Sequence, residues 1–169
     1  MTLLKSLKSS TKWKIILAVI TSSILLSSCA SFLNQEESAK LYVFDCGDIE
    51  VRDQSLFSPG VDKNKVKQMT DSCYLIKHPK GNLVWDTGLN DAIGPEGIEA
   101  WEGVFHMSVK NPLSAQLEQI NVSPEDIDLL GISHFHGDHT GNANLFKNAA
   151  LIIQQEEYDA AFGETPEKF

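Results

Sequence analysis

The chain has 169 residues, 42% of them hydrophobic, which suits one domain with a buried core and argues against disorder. Its formal net charge is −9; the first 28 residues hold four lysines (Lys5, Lys8, Lys12, Lys14) and no acid, so the remainder carries −13. A surface of that sign repels phosphate backbones and anionic headgroups, which argues against nucleic acid or a membrane surface as the main partner and favours a compact small-molecule substrate, neutral, cationic or held by a metal.

Residues 1 to 14 are basic, Ile15 to Leu26 are apolar apart from Thr21, Ser22 and Ser23, and the run Leu26-Ser27-Ser28-Cys29 closes the segment. The apolar part is too short for a membrane span and has the layout of an export signal. The cysteine at the cleavage point resembles the lipobox of bacterial lipoproteins. That resemblance implies a signal peptide over 1–28 and lipidation of Cys29, with an unlipidated signal or an uncleaved anchor helix as the alternative. Two or more acyl chains give stable anchoring. Ala30 follows, with no Asp to retain the protein at an inner membrane, so the implied location is the periplasmic face of an outer membrane or the cell surface. Residues 29–40 are polar and read as a tether, and the folded domain is expected over 41–169.

Leu41 to Cys46 is β-branched and aromatic and predicts a first strand punctuated by Gly47, with Ile49 to Arg52 as its continuation. Ser55 to Lys67 reads as a loop. Cys73 to His78 and Leu83 to Trp85 read as two strands around the turn Pro79-Lys80-Gly81-Asn82, and residues 88 to 111 as loop with one short helix. Leu113, Leu117 and Ile120 recur at helical spacing, and Ser123-Pro124-Glu125-Asp126 has the makings of a capped helical turn. Ile127 to Ile132 predicts a buried strand leading into Ser133. Beyond it come a short helix at Asn142 to Phe146, a strand at Ala150 to Ile153 and a helix at Glu156 to Phe162, stopped by Gly163. The alternation makes this an α/β chain. Cys46 and Cys73 are compatible with a disulfide or with two buried thiols.

The run Ser133-His-Phe-His-Gly-Asp-His-Thr-Gly-Asn142 packs three histidines and a carboxylate into six residues just beyond a strand. Imidazole nitrogens and carboxylate oxygens are the donor set for zinc and similar ions. Alternate residues of an extended segment point the same way, so His134 and His136 suit one ion; past the bend at Gly137, Asp138 and His139 suit a second. Two neighbouring ions can share a hydroxide that attacks at neutral pH, with no serine or cysteine nucleophile.

The H-x-H-x-D-H run at 134 to 139 resembles the signature of the metallo-β-lactamase superfamily, and Trp85-Asp86-Thr87-Gly88 resembles its earlier V-D-T-G element. Leu41 to Gly47, Phe57 to Gly60, Cys73 to Gly88 and Gly141 to Phe162 are similar to N-acyl-homoserine lactonase-like members. The resemblance implies the N-terminal half of a four-layer αβ/βα sandwich and a site with two Zn2+ per complete domain. His134, His136, Asp138 and His139 would be its ligands, and Asp86 would orient a metal-bound imidazole. It further implies a hydrolase that opens a lactone by attack of a metal-bridging hydroxide, with Asp138 passing the proton to the leaving alkoxide. β-Lactam or thioester hydrolysis is the alternative on the same scaffold.

The family's later ligands lie well downstream of the H-x-H-x-D-H run, whereas His78 and His106 lie upstream and read as exposed loop residues. A first half alone would expose its inner face to water. The expectations are therefore half of a metallo-hydrolase or, in a different class, a non-catalytic truncated lipoprotein. Glu156, Glu157 and Tyr158 read as a solvated helix face, with Tyr158 as a lesser candidate for the substrate pocket. The sequon Asn121-Val122-Ser123 reads as incidental.

Overall fold

A computed structural model of the chain describes residues 38–163. The signal segment, Cys29 and most of the tether lie outside the described residues, as do 164–169.

Strand β1 (Lys40–Val51) pairs antiparallel with β2 (Lys67–His78), which pairs with β3 (Gly81–Trp85) through the expected turn. Both long strands exceed the sequence expectation. Gly47 does not end β1; the register shifts between Asp45 and Gly47, a bulge that carries the strand on to Val51 with a bend. The predicted loop after Ser55 holds, with a 3-10 turn at Gln54–Leu56.

Residues 88 to 111 are less irregular than their composition suggests. A 3-10 turn at Asp91–Ile93 is followed by a hairpin of β4 (Ile98–Ala100) and β5 (Phe105–Ser108). These strands are too short to show alternation. They exist because β5 adds to the free edge of β1, with Asp48 opposite Ser108 and Val51 opposite Phe105.

Helix α1 (Leu113–Gln119) buries Leu113 and Leu117 as the periodicity predicts. Its N-terminus is capped from a distance, since the Asp91 carboxylate accepts the Leu113 and Ser114 amides at 2.8 and 3.1 Å. Ser123 and Asp126 close a capping box on a 3-10 turn at Pro124–Asp126. Then come β6 (Leu129–Gly131), the four-residue helix α2 (Gly137–Thr140), a 3-10 turn at Ala143–Leu145, β7 (Ala150–Ile152) and helix α3 (Gln155–Phe162).

The seven strands form one mixed sheet in the order β4-β5-β1-β2-β3-β6-β7, antiparallel up to β3 and parallel from β3 to β7. One face carries the main core, in which Phe44, Leu75, Val84, Leu130 and Ile132 pack with Leu113 and Leu117 of α1. Within it Cys46 and Cys73 form a disulfide between β1 and β2, which settles the alternative left open by the sequence. A link spanning 27 residues contributes about 3.5 kcal/mol by restricting the unfolded chain. Such bonds are usual in proteins that fold in oxidising compartments.

The opposite face is apolar and open. Register places Leu41 and Val43 of β1 beside Ile76 and Tyr74 of β2, then Leu83 and Trp85 of β3, Leu129 of β6 and Ile152 of β7. Leu41 and Val43 are each 63% exposed and Trp85 41%, far beyond what a finished core face shows. The sheet is thus covered on one side among the described residues, as expected of the first half of a sandwich.

Candidate metal centre

Because β3 and β6 run parallel side by side, their C-terminal ends open on the same edge of the sheet, the usual place for a site in an α/β sheet. β3 runs out into Asp86 and β6 into Ser133 and His134. The Asp86 amide donates to Gly131 O at 2.9 Å, which brings the two strand ends together. Asp86 sits at φ +54°, a left-handed backbone that costs a non-glycine residue roughly 1 kcal/mol or more and persists where its surroundings hold it.

What holds it is its buried carboxylate. Oδ1 accepts the Ser133 amide at 2.7 Å, while Oδ2 accepts the Ser133 hydroxyl at 2.8 Å and His139 Nδ1 at 2.9 Å. With its proton on Nδ1, His139 turns Nε2 towards Asp138, whose Oδ2 lies 3.5 Å away. In the matching tautomer His134 donates from Nδ1 to Ser133 Oγ at 3.2 Å and presents Nε2, which stands 3.1 Å from His136 Nδ1. Burial, and then the neighbouring His139 and His136 rings, hold His134 below the ordinary imidazole value. That shift favours the neutral ring, the state in which it can donate a lone pair.

These separations allow a fit test. Two donors each about 2.0–2.1 Å from a tetrahedral zinc stand roughly 3.3 Å apart. The His134–His136 gap of 3.1 Å and the Asp138–His139 gap of 3.5 Å bracket that value. Among the described residues no group of three or more His, Cys, Asp or Glu side chains is arranged to hold an ion by itself. The donors stand as two pairs, and a zinc site needs more than two protein ligands. Each pair thus has the spacing and donor chemistry that a zinc ion requires, without completing a site among the described residues.

Hydrogen bonds lace the two motif loops together. Thr87 donates from its amide and its hydroxyl to His139 O, at 2.8 and 3.0 Å. Asn142, fully inside, donates from Nδ2 to Thr87 O and Leu89 O and accepts the Asp91 amide. The Gly141 amide donates to Gly88 O at 2.9 Å, and a Cβ on Gly141 would come within 2.4 Å of that oxygen. Residues 86–91 and 138–142 are therefore tied to one another, and Asp138 and His139 are held in that framework.

Asp71 on β2 lies beneath the same loop. Only 7% exposed, it accepts the Leu89 amide at 2.9 Å, and burial pushes its carboxyl up to about 6 despite that bond. The folded chain thus binds this proton more tightly than the unfolded chain, whose value is 3.8. The stability cost is complete above pH ~6 and absent below pH ~4, so in the metal-free chain stability falls as pH rises between them. Asp71→Asn keeps an oxygen for the Leu89 amide. It is expected to raise stability at pH 7 by up to about 3 kcal/mol and to flatten that slope in urea denaturation. An unchanged slope would disprove the assignment.

The structure brings His134, His136, Asp138, His139 and Asp86 together. It does not bring in His78, whose Nδ1 accepts the Lys80 amide in the β2–β3 turn, or His106, which sits on β5 and pairs with Glu99 at 3.1 Å. His106 is thus a strand residue rather than part of a loop. The solvated reading of Glu157 is corrected: its carboxylate accepts the Phe135 amide at 2.9 Å. Tyr158 is exposed and packs on Phe162, with ring centroids 5.0 Å apart. Sequence reasoning passed over Ser133, Asp71 and Glu157 as functional groups. Of these only Ser133, adjoining the cluster, carried a visible signal.

A sequence profile described as Metallo-beta-lactamase superfamily matches residues 69–163, more than half of the chain. The chain belongs to that superfamily. This metallo-β-lactamase chain is 35% identical over 101 residues to the N-acyl homoserine lactonase AttM of Azorhizobium caulinodans, covering 57% of this chain and 38% of AttM. It is 28% identical over 130 residues to the N-acyl homoserine lactonase AiiA of Bacillus thuringiensis subsp. kurstaki, covering 72% of this chain and 51% of AiiA. A solved N-acyl homoserine lactone hydrolase, with N-hexanoyl-L-homoserine bound at its catalytic metal center, superposes with a TM-score of 0.66 at 26% identity. That superposition covers 76% of this chain and 54% of the hydrolase. The chain spans about half or less of the length of the curated relatives named here.

Proposed function

We propose that this chain supplies half of a two-zinc hydrolase centre that opens a lactone of the N-acyl-homoserine type. The observation that carries the reading is the pairing of donors at the sheet edge, 3.1 Å within His134–His136 and 3.5 Å within Asp138–His139. His134 and His136 would hold one ion, and Asp138 and His139 the other. Bound there, divalent cations bring the pKa of water down toward ~7 and polarise a carbonyl.

The chain's own residues do the rest. Asp86 keeps the proton of His139 on Nδ1 and so aims Nε2 at the site, and Ser133 relays the same constraint to His134. Asp138, partly exposed, would take the proton given up by the attacking water and pass it to the departing alkoxide as the ring opens. The strongly acidic surface suits an uncharged ring substrate better than a phosphodiester.

A lactone is favoured because AttM and AiiA are lactonases and the solved hydrolase holds N-hexanoyl-L-homoserine. Turnover of the zinc-loaded full protein on acyl-homoserine lactone, β-lactam and thioester panels tests this. Lactones are expected to lead in kcat/KM by about 10-fold or more. A lead for either other class rejects the lactone, and hydrolysis of none rejects the hydrolase.

A further inference from the structure

Helix α3 buries no side chain of its own, yet it reaches back across 22 residues to the segment between the first two histidines. Two of its contacts converge on Phe135. The Glu157 carboxylate accepts the Phe135 amide at 2.9 Å, and the Phe162 ring meets the Phe135 ring edge-on, with centroids 5.2 Å apart. We infer that Glu157 is a positioning residue for the His134–His136 pair, a role that rests on the metal reading given above.

In extended backbone, residues 134 and 136 project to one side and 135 to the other. Holding the Phe135 N–H fixes the peptide plane between the His134 and Phe135 Cα atoms, and so sets the backbone that carries His134 and leads on to His136. An ionised acceptor makes this bond roughly twice as strong as a neutral one. β6 stops at Gly131 and α2 starts at Gly137, so this segment belongs to no regular element and depends on such outside bonds for its shape.

The test compares the wild-type full protein with its Glu157→Ala and Glu157→Gln variants in three readouts. These are the exchange rate of the Phe135 amide in the metal-free chain by NMR, the melting temperature of that chain, and the affinity for zinc alone by calorimetry. Glu157→Ala is expected to speed Phe135 exchange and to weaken zinc binding by about 10-fold, with little change in melting temperature. Glu157→Gln, which keeps an acceptor oxygen, is expected to restore most of both. Wild-type zinc binding with an undiminished affinity in Glu157→Ala overturns the inference alone. A loss of affinity that merely follows a lowered melting temperature also overturns it. Absence of zinc from the wild-type full protein brings down the metal reading, and this inference with it.

Discussion

Calorimetric titration of the full protein carrying both His134→Ala and His136→Ala is expected to show zinc affinity at that position weakened more than ~100-fold. Losing a group that only orients a ligand costs 10–100-fold, and here both donors themselves are gone. His134 Nε2 and His136 Nδ1 stand 3.1 Å apart, and among the described residues no group of three or more His, Cys, Asp or Glu side chains is arranged to hold an ion. On the function proposed above, hydrolysis by the full protein should fall by roughly 10³-fold, since the ion held there would supply both the nucleophile and the carbonyl-polarising charge. Neither side chain belongs to the core, so the metal-free variant should melt near the wild-type temperature. Exposed Lys147→Ala serves as the neutral control. A double variant that still binds two ions with wild-type affinity would remove the basis of the proposed site.

The second large effect concerns folding. Gly88→Ala should lower the stability of the chain by about 2–5 kcal/mol, read from urea denaturation, against the 5–15 kcal/mol that a domain commonly has. Gly88 stands at φ +63°, where a Cβ alone costs about 1–2 kcal/mol. That Cβ would lie 2.2 Å from Cys46 Cβ and 2.9 Å from Cys46 O. Cys46 cannot retreat, being buried and bonded to Cys73 on the next strand. Relief would have to come from the 86–91 loop, which would drag Gly141 and Asn142 with it and open the Asp86–His139 bond. A loss below 1 kcal/mol would show that the loop is softer than its bonds suggest.

The sequence made the four donors legible because they lie within six residues, where spacing alone fixes their relation. Asp86 was visible only through family resemblance, since nothing local links it to residues 47 to 53 positions ahead. Most of the order from Leu113 onward was also readable, but the short helix at Gly137–Thr140 was not, and the helix expected at Asn142 to Phe146 is a 3-10 turn at Ala143–Leu145. The β4–β5 hairpin was not, as its pairing depends on an edge of β1 more than 50 residues earlier in the chain. Glu157 shows a different limit. Helical periodicity separates buried from exposed faces, but a polar residue that reaches over to a loop amide carries the same pattern as one bathed in water. The disulfide sat between these cases, with two cysteines in view and no local clue to their pairing.

The uncovered sheet face has a thermal consequence. Unfolding raises heat capacity chiefly by wetting apolar surface, ordinarily by about 12–15 cal/mol/K per residue. Here Leu41, Val43, Ile76, Trp85, Leu129 and Ile152 already meet solvent in the folded state. The increment for this chain should therefore fall short of that of a fully covered domain of equal length. Its stability curve should be correspondingly flat, and any segment that docks against those six side chains would steepen it.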